Sequence, residues 1–139
     1  MTAGGEFEIL AITAGEGNGW QFPAGCLRES LGLWDGVEPY VDHAWLGRSV
    51  RDLAGVCREL QWDEATQGVR PLLSLVGQSA ALLMALARQV LAEEEPRLAV
   101  GFSADLVFMA SGQQLEEILK VYSVDLVMDP ARGARFSVP

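Results

Sequence analysis

Nucleophilic hydrolysis needs a hydroxyl or thiol, a base that takes its proton near neutral pH, and a group that orients the base. Histidine is the side chain whose ordinary pKa suits the second task, and this sequence has a single one, His43. It closes the β-like run VEPYVDH and precedes a loop rich in polar and basic residues, GRSVRD. A strand end holds a residue rigidly while its side chain meets open space; a lone histidine there can equally be a satisfied structural residue. The candidate hydroxyl is Ser103, within Val100-Gly101-Phe102-Ser103-Ala104. A buried apolar strand ordinarily excludes an unpaired hydroxyl, and Gly101 admits a close approach by backbone or substrate. The alternative is a core serine bonded to a carbonyl.

Other chemistries fit less well. The run Gly101-Phe102-Ser103-Ala104-Asp105 lacks the second glycine of a nucleophile elbow, which excludes an α/β-hydrolase. Cys26 and Cys57 share no metal-type spacing and read as reduced, buried thiols. With one histidine and no close cysteine pair, no structural zinc site is expected, and no cofactor is implied. Glu93, Glu94 and Glu95 read as a solvated charge run rather than a glycosidase or metal site. The net charge of -9 and pI near 4.5 argue against a nucleic-acid binder, because phosphate contacts need clustered Lys and Arg. No apolar run of about 18 residues exists to span a membrane, and MTAGGEFEIL lacks the pattern of a signal peptide. One soluble domain over residues 1–139 is the expectation.

The positioning elements follow from periodicity and turn residues. EFEILAIT (residues 6–13) alternates as a first strand, and GEGNG reads as a loop. Pro23 opens a helix carrying Leu27, Leu31 and Trp34, which Asp35-Gly36 closes. Residues 37–43 form the next strand, and residues 49–53 a turn or short helix ending at Gly55. Residues 56–62 and 69–76 form a hairpin around a polar loop. Residues 78–95 are the clearest helix, with Leu82, Leu86 and Val90 on one face beside Leu83, Met84 and Ala87, between Gly77 and Pro96. Residues 98–108 form a strand, and 115–127 a polar start followed by the strand VYSVDLV. The mixture predicts an α+β fold: a mainly antiparallel, barrel-like sheet with two or three flanking helices.

Three segments in this order and spacing, VEPYVDHAWLGRSVRDL, LAVGFSAD and VYSVDLVMDPA, resemble the phage prohead maturation proteases. These are serine peptidases that process scaffold and capsid proteins during head assembly. The likeness spans roughly residues 7–136. That family shares its fold with the herpesvirus assemblin proteases. The resemblance implies His43 as general base and Ser103 as nucleophile. It places the third member in the strand after Ser103. Many relatives have a glutamate at the place that Ser123 occupies here; others carry the Ser-Val-Asp form, so Asp125 is the expected third member and Ser123 the alternative. Asp42, adjacent to His43, would point away from it in a strand. Arg132 and Arg135 occupy the place of an oxyanion-supporting loop; both can equally be surface charge. The implied partners are scaffold, capsid protein and the chain itself, inside the assembling prohead in the bacterial cytoplasm, with self-association expected. A non-enzymatic assembly module of the same fold is the first alternative, and an unrelated α+β binding domain the second.

Overall fold

The computed structural model describes residues 6–17, 19–41, 49–92, 100–128 and 135–136. Among them the fold is α+β, mostly strands, with two α-helices and one 3-10 turn. The strands form two open sheets, and no closed barrel exists among the described residues.

The first sheet is built around β6 (Gly68–Ser74). On one edge it pairs with β5 (Val56–Asp63) as the expected antiparallel hairpin. On the other it meets β1 (Glu6–Leu10) and β2 (Ile12–Thr13), also antiparallel. The single predicted strand over residues 6–13 is therefore divided at Ala11. Beyond β1 lies the short β9 (Arg135–Phe136), with Leu10 opposite Arg135. A register shift between Arg58 and Gln61 marks a bulge, where Glu59 takes a φ of 48°.

The second sheet contains β3 (Gly15–Gly17) and β4 (Trp20–Phe22), then β8 (Gln114–Met128) and β7 (Val100–Ser111) at its end. Strands β7 and β8 form one long antiparallel hairpin. Its connection is the two residues Gly112-Gln113, and Gly112 adopts a φ of 60° that favours glycine. The loop expected at GEGNG is thus partly strand, and the polar start expected at residues 115–120 is strand throughout.

Helix α1 (Ala24–Glu29) and the 3-10 turn Leu31–Trp34 stand near the expected helix, with Pro23 just before the first turn. They pack against both sheets and bury Leu27 and Trp34 completely. Trp34 Nε1 donates to Ser30 Oγ at 3.0 Å, and that hydroxyl donates to the Leu27 carbonyl at 2.7 Å. This accounts for a buried serine beside a tryptophan. Helix α2 (Ala80–Leu91) is shorter than predicted on its described length, and Glu93, Glu94 and Glu95 lie outside the described residues. Its inward stripe is Leu83 and Ala87, while Leu82 is 48% exposed. Leu86 and Val90 of the expected face pack against the core beside them, and Leu82 is the member that turns outward. No helix among the described residues is long and apolar enough to cross a membrane.

Candidate functional site

The core of the site is the ladder between β7 and β8. Its register pairs Phe102 with Leu126, Ser103 with Asp125, Ala104 with Val124 and Asp105 with Ser123. Side chains alternate along each strand and aligned neighbours share a face. Phe102, Val124 and Leu126 therefore point into the core, and all three are buried. Ser103 and Asp125 share the opposite face, followed by Asp105 and Ser123. Directly opposed residues of an antiparallel pair have Cβ atoms about 4.5–5.5 Å apart.

Burial divides the two residues. Asp125 is 2% exposed and Ser123 fully buried, whereas Ser103 is partly exposed. Gly101, opposite Val127, adds no side chain to the next position on this face. The ladder thus sets a partly exposed serine opposite a covered aspartate.

Residues 38–41 run along the other edge of β8. Glu38 and Val41 form parallel bridges with Ser123 and Leu126. Val124 N–H donates to the Glu38 carbonyl at 3.3 Å, and Leu126 N–H donates to the Tyr40 carbonyl at 2.8 Å. This register sets Tyr40 beside Asp125. The Tyr40 hydroxyl donates to Glu38 Oε1 at 2.8 Å. Neither residue was a candidate from sequence, since a parallel pairing across about eighty residues leaves no local signal. His43 and Asp42 follow directly and lie outside the described residues, as does Arg132. Of Arg135 only the backbone is described; β9 packs beside both β1 and β7.

A cavity of about 250 Å³ opens beside Ser103. Phe102 to Leu106 form one wall, and Ile12, Trp20, Phe22 and Phe108 contribute much of the remainder. Trp20 and Phe108 meet edge to face, their centroids 4.9 Å apart at 75°. The alternation Trp20-Gln21-Phe22 was the available signal for an aromatic-bearing strand here.

The other candidates separate from this site. Cys26 and Cys57 are free and buried, and burial pushes the Cys57 thiol up to about 12. Neither lines the cavity beside Ser103. Among the described residues no three His, Cys, Asp or Glu side chains gather as a metal site.

No family model matches the chain, and no curated protein matches it in sequence. Among solved structures it is similar to the bacteriophage T4 capsid assembly protease, gp21. The TM-score is 0.56 at 16% identity, covering 88% of this chain and 81% of that one. The likeness is one of fold.

Proposed function

We propose that this chain is a serine endopeptidase that processes proteins of an assembling phage head. The observation that carries the reading is the opposition of Ser103 and Asp125 on neighbouring strands. The fold likeness to a capsid assembly protease supports the setting, and the sequence resemblance to prohead proteases supports the roles.

In this reading Ser103 Oγ attacks the scissile carbonyl. His43 accepts the serine proton and returns it to the leaving amine. Asp125 orients the imidazole and stabilises its cationic form, with Ser123 the alternative for that task. The burial of Asp125 suits this role, since a carboxylate shielded from water acts more strongly on a neighbouring cation. Support for His43 comes from the chain path. Val41 is bridged to Leu126, one residue past Asp125, and two further residues span at most about 7 Å. Arg132 and Arg135 are proposed to support the tetrahedral oxyanion, a role aided by the position of β9 beside β7.

The substrates are scaffold protein, capsid protein and the chain's own flanking segments, met inside the prohead in the host cytoplasm. Self-association belongs to the same proposal. Replacing Ser103 with Ala should abolish cleavage of a co-expressed scaffold while leaving the chain folded. Unchanged processing by that variant would refute the reading. One feature favours a second reading, a non-catalytic assembly module: Ser123 stands where many prohead proteases carry glutamate. A folded, assembled sample whose Ser103 never reacts with a fluorophosphonate would favour the module.

A further inference from the structure

A groove follows the edge of β8 that faces away from β7. On that edge Gln114 pairs with Gln21 and Ser123 bridges to Glu38, and between them no strand joins β8 among the described residues. Helix α1 and the 3-10 turn pack there instead. They leave two cavities of about 270 and 260 Å³, which share Leu33 and adjoin where Ile118 meets Leu119. Leu33, Leu119 and Tyr122 are exposed in this lining. Large apolar side chains gathered in an open concavity mark an interaction surface. Glu29, Asp35 and Glu117 line the groove too, all exposed and in no ion pair among the described residues. Arg28, next to Glu29, is held by Glu64 at 2.6 Å. Lys120 is the one cation of the lining, and its Nζ lies over the Tyr122 ring, 4.7 Å from the centroid. Ser103 and Asp125 are not part of this lining.

We infer that this groove docks an extended segment of a partner protein in which apolar residues are interspersed with Lys or Arg. The apolar side chains of the segment cover Leu33, Leu119 and Tyr122, and its cations meet Glu29, Asp35 and Glu117. A strand rises about 3.3 Å per residue, so the stretch from Glu117 to Tyr122 offers a contact of about five residues. Charge selects this occupant over the others. A second copy docked through the same face would set these carboxylates against each other. Nucleic acid would bring phosphates to them. The net charge of -9 attracts a basic segment from a distance. Docking here does not depend on serine chemistry, and it serves a peptidase or a non-catalytic assembly module alike.

The test measures fluorescence anisotropy of labelled decapeptides with the full chain. One peptide alternates Leu with Lys, a second Leu with Glu, and a third Ser with Lys. The Leu-Lys peptide should bind at least about tenfold more tightly than either of the others. The double variant Leu33→Ser, Leu119→Ser leaves the net charge unchanged and should remove that advantage, with circular dichroism as the folding check. Glu117→Lys, a single exposed change on β8, should weaken the same peptide. Ser103→Ala should bind it as the parent chain does, which separates this groove from the proposed peptidase centre. Equal binding of the Leu-Lys peptide by the double variant, or equal binding of the Leu-Glu peptide by the parent chain, would overturn the inference. So would loss of binding in Ser103→Ala, which would assign the peptide to the peptidase centre. Absence of peptide binding would overturn it as well; a sedimentation coefficient lowered by the double variant would then assign the face to a second copy.

Discussion

Ser103 and Asp125 are direct partners in the antiparallel ladder of β7 and β8, the serine partly exposed and the aspartate buried. An imidazole above this pair could accept from the hydroxyl and donate to the carboxylate without either strand moving. Ser123 sits one pair further along, opposite Asp105. In the proposed reading this register favours Asp125 over Ser123 for the third role.

That ranking predicts unequal effects. Asp125→Asn keeps the shape of the side chain but removes the charge proposed to select the imidazole tautomer. Under the proposed mechanism it should lower kcat by about 10³–10⁴-fold, as loss of the orienting carboxylate does in known serine peptidases. Ser123→Ala should change kcat by less than about tenfold. Single-turnover cleavage of a scaffold-derived peptide, with circular dichroism as the folding check, measures both. A reversed order would assign the role to Ser123.

The proposed oxyanion support predicts that Arg132→Ala or Arg135→Ala lowers kcat by about 10²–10³-fold with a smaller change in KM. The kcat and KM of each variant separate this from ordinary surface charge, for which both parameters should stay near those of the parent chain.

How far the sequence reveals this fold depends on how local the signals are. The hairpin of β5 and β6 and the strand through Ser103 were legible because apolar runs and a polar loop mark them. Leu115, Ile118 and Val121 recur every third residue, which obscured the first half of β8. The cause is the set of register shifts between β7 and β8, which break the two-residue period of a strand. Strand β3 was hidden because Gly15 and Gly17 pair through their backbones and contribute no side-chain pattern. The candidates Ser103 and Asp125 were identifiable as residues; their opposition was not, since it depends on the Gly112-Gln113 turn and every bulge that follows. His43 and Arg132 remain candidates from sequence and resemblance, outside the described residues.

Cys57 gives a prediction on pH. Burial raises its thiol from 9.0 to about 12 in the folded chain. The unfolded chain therefore loses this proton first, and Cys57 contributes stability below pH 9 that is lost as pH rises towards 12. Urea unfolding across that range should show a decline that is smaller in Cys57→Ala. A thiol reagent at pH 8 should modify Cys57 only after unfolding.

Gly77 joins the turn at residues 50–53 to the start of α2. Its φ is 92°, and an added Cβ would lie 2.6 Å from the Leu53 carbonyl oxygen. Gly77→Ala should destabilise the fold by about 1–3 kcal/mol, lowering Tm by several degrees in a thermal melt. An unchanged Tm would show that this segment yields without cost.

The central claim is an activated serine. Its most direct measurement is fluorophosphonate labelling of the assembled full chain, with the modified residue mapped by mass spectrometry. The account predicts a single adduct on Ser103 that disappears in His43→Ala and is strongly slowed in Asp125→Asn. Equal labelling of the parent chain and His43→Ala, or an adduct on any serine other than Ser103, would contradict it.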